Sequence, residues 1–471
     1  MRALVFLLNL SAVVLAGHVQ RSSRKEADSL LIKNIPRATG LTCDTNAEVE
    51  LVNGSAVFPD RSATVNEGKI SSTFGYRSVL YVTNWSIYAV KFISSQVPVD
   101  SITHIQYAFA DILENGTVIS SDPFADTQKV FDDYTPDNLF VTCKENNEEQ
   151  AHGLVEQLYM MKQKNRNLKV LLAVGGYGWS QKFGPVASDS VKRAAFVSSA
   201  VELMGNWGMD GIEIDWEYPN DKASNTDCVK LLTDLRKGLD DYAARNAPGY
   251  RFLLSFAGPA GPKNYAAFNF TAMDTQIDFW SIMGYDFAGT WDTSTGHQAN
   301  VYPASSVPLS IKASLDIAVT DYMKQGIPSG KVVIGLPLYG RSFDKTSGLG
   351  EPYIASINGS FEAGVWFYKD LPLPGATVYY DNLAKAAYSF DKSTGQLISY
   401  DNIQSAQEKS HYLTEKQLGG VMFWEASQDK AGADSIVVNM ARWLEKLESS
   451  ENLLSYPASR YTNIRNNTGN K

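Results

Sequence analysis

Short runs of apolar and β-branched residues alternate with longer amphipathic stretches from residue 78 onward. Apolar runs of about four to eight residues bounded by turn residues predict buried strands, and apolar positions three and four residues apart predict helices. Eight predicted strands span residues 79–83, 104–110, 169–174, 211–215, 251–257, 279–285, 332–337 and 420–424. Most of them precede an amphipathic stretch, and this order predicts a (β/α)8 TIM barrel. An open doubly wound sheet is the alternative, but no Gly-rich phosphate turn follows the first strand.

Three of the predicted helices have clear apolar faces. They span residues 190–204, 229–242 and 434–447. Asp189 is placed to cap the amino end of the first of them. The side chains predicted to face inward from that helix are Phe196, Ala200, Leu203 and Trp207.

Two connections are longer than a barrel requires. Residues 114–150 form a long polar loop, and residues 342–400 are rich in Tyr, Gly and Thr. A segment as long as the second is rarely without regular structure in a compact domain. We therefore predict a small α+β insertion between strand 7 and helix 7, which deepens a groove beside the barrel mouth. The barrel itself is predicted over residues 76–446, with a polar tail over residues 447–471.

The first residues resemble a secretory signal peptide. Arg2 precedes an apolar run that ends in a small-residue cleavage pattern, which predicts a signal peptide over residues 1–16 and a secreted protein. Residues 17–75 are polar and are predicted to form an extension. Asn-x-Ser/Thr acceptors for N-glycosylation agree with secretion. They occur at Asn53, Asn84, Asn115, Asn269, Asn358 and Asn466.

Composition excludes several classes of protein. The net charge is −9, from 42 basic and 51 acidic residues, so a nucleic-acid or anionic membrane partner is not expected. No later stretch is apolar enough to span a membrane. The three cysteines, Cys43, Cys143 and Cys228, allow at most one internal disulfide, whose pairing stays open. No metal-ligand spacing is present, no cofactor is called for, and a monomer is expected. The 24 Tyr and 9 Trp are compatible with stacking on sugar rings.

The stretch 210–219, Asp-Gly-Ile-Glu-Ile-Asp-Trp-Glu-Tyr-Pro, carries an unusual density of carboxylates. In a strand, Glu213, Asp215 and Glu217 leave the same face, with neighbours about 7 Å apart along the backbone. Acidic residues are poor strand formers and are seldom buried unpaired. One interpretation is a strand with one wet face. The other is a relay of carboxylates in which Glu217 donates a proton and the neighbouring acids raise its pKa.

The remaining unusual residues fall at the carboxyl ends of the predicted strands, where TIM barrels carry their active sites. They are Tyr107 and Phe109 on the second strand, Gly175 and Gly176 after the third, Glu217 after the fourth, Tyr285 and Asp286 at the sixth, Tyr339 and Arg341 after the seventh, and Trp424 on the eighth. This clustering favours the catalytic interpretation of the acidic stretch.

Taken together, these motifs make residues 78–446 similar to glycoside hydrolase family 18, the chitinase family, in its fungal secreted form. The family pattern Asp-x-x-Asp-x-Asp-x-Glu is matched by Asp210, Glu213, Asp215 and Glu217. Further matches are Tyr81-Val-Thr-Asn-Trp85, Tyr107-Ala-Phe109, Val174-Gly-Gly176, Met283-Gly-Tyr-Asp286, Gly335-Leu-Pro-Leu-Tyr-Gly-Arg341 and Gly420-Val-Met-Phe-Trp424.

The resemblance implies a retaining, endo-type chitinase that cleaves the β-1,4 bonds of N-acetylglucosamine polymers by substrate-assisted catalysis. It implies that Glu217 is the proton donor and that Asp215 holds the acetamide N–H and stabilises the oxazolinium charge. It assigns Tyr285 to the acetamide carbonyl, Glu213 to the catalytic carboxylate set, and Trp424 to the floor of the subsite.

The resemblance also implies a set of substrate-binding residues. They are Tyr81, Trp85, Tyr107, Phe109, Gly175, Gly176, Tyr218, Met283, Asp286, Trp291, Tyr339, Arg341 and Trp424, with Trp179 as further stacking surface. Each has a structural alternative. Trp424 is alternatively a core aromatic, Arg341 an ion-pair partner, and Trp85 rim packing, while packing suits Met283 better than chemistry does.

Two positions depart from the family pattern. Glu213 stands where Asp is usual, and Ala173 stands where the family has a Ser whose hydroxyl donates to that same carboxylate, as does the Tyr matched by Tyr81. One hypothesis is compensation, in which Ala173 leaves room for the longer Glu213. The other is decay to a slow enzyme or a chitin-binding lectin. The retained Glu217 favours catalysis over the lectin, because binders of this fold usually lose the proton donor. An endo-N-acetylglucosaminidase of N-glycans is a further alternative, but the insertion and the Gly-x-Pro-x-Tyr-Gly-Arg strand at residues 335–341 favour a chitinase.

Overall fold

The computed structural model describes residues 75–131, 149–303 and 313–468. The strands of this part are β1 (Arg77–Thr83), β2 (His104–Ile112), β3 (Val118–Ser120), β4 (Lys169–Gly175), β5 (Gly211–Asp215), β6 (Leu253–Pro259), β7 (Phe279–Met283), β8 (Val332–Pro337), β9 (Tyr339–Asp344), β10 (Ile354–Ala355), β11 (Val365–Phe367), β12 (Thr377–Asp381), β13 (Ala386–Asp391), β14 (Gln396–Tyr400) and β15 (Gly420–Trp424). The α-helices are α1 (Gly153–Lys164), α2 (Phe183–Ser188), α3 (Ser190–Asn206), α4 (Lys222–Asn246), α5 (Pro262–Tyr265), α6 (Phe270–Asp274), α7 (Leu315–Lys324), α8 (Ile403–Glu415), α9 (Ile436–Leu444) and α10 (Thr462–Arg465).

Several expectations fall outside these ranges. The predicted signal peptide, nearly all of the predicted extension, Asn53, Cys43 and Cys143 all lie outside the described residues. The third cysteine, Cys228, is buried in α4 as a free thiol. No helix of the described residues is both long enough and apolar enough to cross a membrane.

Eight parallel strands close into a barrel. Their order around the barrel is β1, β2, β4, β5, β6, β7, β8 and β15, and β15 pairs again with β1. Every predicted strand lies on one of these eight, and the predicted TIM barrel is confirmed. The strand ends differ from the prediction by at most two residues: β6 lies two residues later, at Leu253–Pro259, and β7 ends at Met283, two residues earlier.

The barrel strands are buried on both faces because helices cover the outside of the sheet. Alternate residues of each strand point into the barrel or out toward the helices. The inner layer contains Val79, Tyr81, Ala108, Phe109, Leu171, Ala173, Phe279, Val333 and Met422. Ile212 and Ile214 of β5 belong to the outer core, as their alternation with the acidic residues predicted.

The predicted helices are confirmed with shifted ends. The Asp189 carboxylate accepts two backbone N–H groups at the start of α3. Leu203 of this helix is only half-buried, and Met204 is buried beside it. Helix α4 begins earlier than its apolar pattern predicted, because Asp221 and Ser224 form a capping box at Lys222.

The predicted insertion lies between the seventh barrel strand, β8, and the helix α8. Its strands form a second, antiparallel sheet in the order β10, β9, β14, β13, β12, with β11 paired to β9. A 3-10 turn at Tyr368–Asp370 is its helical element in the described structure. Strand β9 starts directly after β8, so the sheet rises from the carboxyl end of the barrel. The long loop predicted after β2 contains the short strand β3, which pairs antiparallel with β2.

The predicted polar tail is wrong for residues up to 468, because this segment packs against the amino end of the barrel. Tyr456 is fully buried, and its hydroxyl meets the Lys162 ammonium at 2.9 Å. Lys162 in turn lies 2.9 Å from the buried carboxylate of Asp210. The Asn452 amide donates to three backbone carbonyls at the end of α1 and in the following loop. Asp210, the first acid of the motif, therefore anchors this segment at the barrel end opposite the other three.

Candidate active site

Three carboxylates follow one another toward the carboxyl end of β5. Glu213 and Asp215 are buried at 0% and 4% exposure on the inner face of the strand. Glu217 lies two residues beyond the strand end and is half-buried. Glu213 and Asp215 lie on the same face of β5, as their spacing predicted. The acids therefore run from the barrel interior to its mouth.

Burial raises the pKa of all three acids. The pKa of Glu217 rises to about 7, mainly through desolvation and further through the charge of Asp286, while a hydrogen bond from Tyr218 opposes the rise. Desolvation also raises the pKa of Glu213 and of Asp215, and the neighbouring carboxylates add to it. Like charges this close do not all ionise together in a dry site. The set therefore retains a proton at neutral pH.

Two oxygens of this set have no protein hydrogen-bond partner. The Tyr81 hydroxyl donates to Oε1 of Glu213 at 3.0 Å. Oε2 of Glu213 and Oδ1 of Asp215 are buried and unpaired. Unpaired buried polar atoms are rare, and in a site they mark groups available to a substrate or to a shared proton.

The two departures from the family pattern are neighbours across the sheet. In the parallel pairing of β4 with β5, Ala173 lies directly opposite Glu213. Both residues are fully buried. The hydroxyl that Ala173 lacks and the extra methylene of Glu213 therefore concern the same part of the barrel interior.

Glu217 is held by two residues that the sequence reasoning missed. Its backbone N–H donates to the Ser180 hydroxyl oxygen at 2.7 Å. The backbone N–H of Tyr177 donates to the Glu217 carboxylate, and the Tyr177 ring is 65% exposed at the mouth. Both residues follow the Gly-Gly pair closely, and that position after a barrel strand was the available signal.

The glycine pair brings the ends of β4 and β5 close together. Gly175 and Gly176 have φ of +106° and +80°, a backbone region that favours glycine. A Cβ at Gly175 would lie 2.4 Å from the Asp215 carbonyl oxygen, and one at Gly176 would lie 2.6 Å from the Phe109 ring. The two glycines thus allow the end of β5 and the Phe109 ring to pack directly against the backbone at the end of β4.

Three aromatic side chains form a surface beside the acids, here called the aromatic platform (Trp85, Phe109 and Trp424). The Phe109 and Trp424 rings stack with centroids 5.7 Å apart and planes 22° apart. Trp85 lies 6.1 Å from Phe109 and 6.4 Å from Trp424. Tyr81 packs edge-on beneath Trp424 at 4.9 Å, and Trp179 meets Phe109 at 6.4 Å. Trp424 is partly exposed and lies at the carboxyl end of β15.

Tyr285 lies near the acids, two residues beyond the end of β7. Its pKa is raised by burial and also by the charges of Tyr339, Asp215 and Glu217, so it lies within electrostatic reach of both carboxyls. Its hydroxyl meets the sulfur of Met422, a weak acceptor, at 3.8 Å. Met283 packs against the inner layer, as its structural alternative predicted.

Asp286, Tyr339 and Arg341 bind one another. Arg341 forms a two-pronged pair with Asp286 at 2.8 and 2.7 Å, and the Tyr339 hydroxyl donates to Asp286 at 2.7 Å. Trp291, 54% exposed, lies under the guanidinium at 5.1 Å. The ion pair given as the structural alternative for Arg341 is therefore present. The same cluster lies near the acids, since the charge of Asp286 raises the pKa of Glu217.

Tyr107 lies on the outer side of β2, away from the carboxylates, although the resemblance placed it with Phe109 among the substrate-binding residues. It is buried in the outer core, packs edge-on against Trp207 at 6.1 Å and donates to Asp126 at 2.5 Å. The pairing of β2 with β4 shifts register between Tyr107 and Ala110. This irregularity breaks the alternation, so that Phe109 faces inward and Tyr107 outward.

One predicted glycosylation acceptor is also wrong for the folded protein. Asn84 is 3% exposed, and its amide donates to Ser121 at 2.9 Å and to Asp126 at 3.1 Å. Attachment of a glycan requires an accessible side-chain amide, so this acceptor is closed. The accessible acceptors of the described part are Asn115, Asn269, Asn358 and Asn466.

Comparison with known proteins gives a consistent relationship. Residues 77–429 match the family described as Glycosyl hydrolases family 18. Endochitinase 1 of Metarhizium robertsii is 44% identical over 391 residues, which cover 83% of this chain and 90% of that protein. Chitinase 1 of Aphanocladium album is 43% identical over 391 residues, with the same coverage of 83% and 90%.

Two solved structures extend the comparison. The catalytic domain of a psychrophilic chitinase B from Arthrobacter superimposes with a TM-score of 0.70 at 30% identity, covering 80% of this chain and 97% of that one. Human YKL-39, described as a pseudo-chitinase with retained chitooligosaccharide binding, superimposes with a TM-score of 0.67 at 26% identity, covering 79% and 100%.

Proposed function

The chain belongs to the glycosyl hydrolases of family 18, and from this premise we propose that it is a retaining, endo-acting chitinase with Glu217 as its proton donor. Relatives at 42–44% identity over most of the chain are named endochitinase or chitinase. The observation that carries the assignment of Glu217 is its position. A carboxyl whose pKa burial raises to about 7 stands at the barrel mouth, with Tyr285 and Asp286 facing it.

In the first step, Glu217 gives its proton to the glycosidic oxygen, and the bond to the leaving sugar breaks. The acetamide oxygen of the retained sugar attacks the anomeric carbon from the opposite face and forms an oxazolinium ring. The Glu217 carboxylate then takes a proton from a water molecule, whose oxygen opens the ring. Two inversions at the anomeric carbon give net retention.

Asp215 and Tyr285 act on the acetamide group. The unpaired Oδ1 of Asp215 is suited to accept the acetamide N–H and to balance the oxazolinium charge. The Tyr285 hydroxyl, whose contact with the Met422 sulfur is weak, is suited to donate to the acetamide oxygen. Preorganised groups of this kind stabilise developing charge without reorganising during the reaction.

The remaining residues bind and align the polymer. The aromatic platform stacks on the apolar face of the sugar whose bond is cleaved, and Trp291 adds stacking surface beyond Arg341. Asp286, Tyr339 and Arg341 orient sugar hydroxyls at the rim. We also propose that the protein is secreted, because its first residues resemble a signal peptide and four glycosylation acceptors are accessible.

A chitin-binding protein without turnover is the second candidate, favoured by the Glu213 and Ala173 departures and by the likeness to YKL-39. Product analysis separates the two. We expect the protein to hydrolyse a soluble chitin oligosaccharide and to release products first in the β-anomeric form, which NMR follows before mutarotation. Binding of the oligosaccharide without products supports the binder, and initial release of the α-anomer contradicts the retaining mechanism.

Activity should fall as the pH rises through about 7. Glu217 must be protonated to act as the acid, so the active form predominates below its raised pKa and is lost above it. Asp286→Asn removes a charge that raises this pKa, and it frees the positive Arg341. The alkaline limb of the kcat/KM profile should therefore move to lower pH.

Asp344→Asn is the matched control for the pH shift. Its carboxylate binds Gln396 in the insertion at 2.8 Å and does not contribute to the raised pKa of Glu217. This variant should leave the alkaline limb where it is in the parent protein. An unmoved limb in Asp286→Asn would show that another group controls the profile.

A further inference from the structure

A buried carboxylate behind the aromatic platform has no part in the mechanism above. Asp126 is 1% exposed and follows the short strand β3. It accepts hydrogen bonds from the Tyr107 hydroxyl at 2.5 Å, the Ser120 hydroxyl at 2.5 Å and the Asn84 amide at 3.1 Å. Three donors on one buried carboxylate form a rigid arrangement, because hydrogen bonds to a charged acceptor are strong in a low-dielectric interior.

These donors belong to the segments that carry the platform. Asn84 directly precedes Trp85, and Tyr107 lies two residues before Phe109 on β2. Ser121 completes the connection, since its hydroxyl donates to the Phe109 carbonyl oxygen at 2.6 Å and accepts from the Asn84 amide at 2.9 Å. The backbone segments of Trp85 and Phe109 are thus tied to each other through one side-chain network.

The network also accounts for two features of the sequence that the reaction leaves unused. Tyr107 faces away from the groove, and Asn84 is a glycosylation acceptor that is buried. The buried Asn84 amide instead donates to the Asp126 carboxylate and holds it beside the segment of Trp85. Burial raises the pKa of Asp126 to about 6, against the opposing effect of its hydrogen bonds.

We propose that Asp126 is a positioning residue for substrate binding, acting through Asn84 and Tyr107. The network sets the orientation of Trp85 and Phe109, and through them the affinity of the groove for the sugar on the platform. The inference rests on the proposed function in that the occupant of the platform is an N-acetylglucosamine unit. The rival explanation is that the network stabilises the fold alone.

Tyr107→Phe and Asp126→Asn test the proposal. The first removes one hydroxyl and keeps the ring that packs on Trp207, and the second turns an acceptor of three hydrogen bonds partly into a donor. Partial loss of aromatic stacking should raise KM about three- to tenfold, with kcat changed less than about threefold because Glu217 is untouched. The Kd of a chitin oligosaccharide, followed by tryptophan fluorescence, should rise by the same factor.

Tyr456→Phe is the matched control at the opposite end of the barrel. Tyr456 is also a fully buried tyrosine, and its hydroxyl contacts Lys162 at 2.9 Å and donates to the Met209 carbonyl at 2.9 Å. Losing this hydroxyl should lower the Tm while leaving KM and Kd unchanged. It therefore reports what a purely structural hydroxyl does.

The outcomes are distinct. A lowered Tm with unchanged KM and Kd in both Tyr107→Phe and Asp126→Asn would assign the network to stability and overturn the proposal. If Asp126→Asn does not fold, Tyr107→Phe decides alone. If the parent protein binds oligosaccharides without hydrolysing them, the proposed function fails, and the Kd comparison still decides the role of Asp126.

Discussion

Glu217→Gln should lower kcat on a soluble chitin oligosaccharide by about 10²–10⁴-fold, equivalent to about 3–5 kcal/mol of transition-state stabilisation. Glutamine matches the size of the side chain and retains hydrogen bonding, but it has no proton to give to the leaving oxygen. The interactions of the aromatic platform and of Asp215 persist, so KM should change little. Release of reducing ends measures kcat, and tryptophan fluorescence measures binding.

Glu202→Gln is the control for this substitution. Glu202 is exposed on α3, away from the barrel interior, and its variant should retain the parent activity. Equal kcat for the parent and Glu217→Gln would assign the proton donor to another group. If the parent and Glu217→Gln both bind the oligosaccharide tightly without turnover, the protein is a chitin binder and not an enzyme.

The parts of this site that follow a simple period could be read from the sequence. The acids of β5 alternate with apolar residues, and a strand has only one way to present that pattern to a buried interior. The positions of Trp424 at the end of β15 and of Tyr285 and Asp286 just beyond the end of β7 followed from the barrel order in the same way. Side-chain direction is fixed by alternation as long as the strand is regular.

The alternation failed where the strand was irregular. The register shift in β2 follows Tyr107 and turns Phe109 to the inner face while Tyr107 stays on the outer one, and nothing in the Tyr-Ala-Phe order reveals a shift that arises from pairing with β4. The C-terminal segment failed for a different reason. Asn452 and Tyr456 act through hydrogen bonds to scattered partners, which leave no periodic signal. Contacts between segments distant in sequence become visible only in the folded chain.

Ala173→Ser and Glu213→Asp should each lower kcat/KM, and the double variant should recover part of the loss. Glutamate reaches more than about 1 Å farther than aspartate, and displacements of about 1 Å in a catalytic set cost up to about 10²-fold. Glu213→Asp alone draws the carboxylate away from the Tyr81 hydroxyl, now at 3.0 Å. Ala173→Ser alone forces an extra atom against the longer side chain opposite it.

A double-mutant cycle measures whether these two positions compensate for each other. Residues in contact typically show coupling of about 0.5–3 kcal/mol, whereas distant pairs add independently. Ala173→Ser combined with Glu202→Asp, on the exposed face of α3, should give purely additive changes and sets the baseline. If Ala173→Ser and Glu213→Asp are additive as well, the two departures are independent and compensation is wrong. If both single variants instead raise kcat/KM, the parent pair represents decay, because the family's usual Ser and Asp would each improve a site that had drifted from its working geometry.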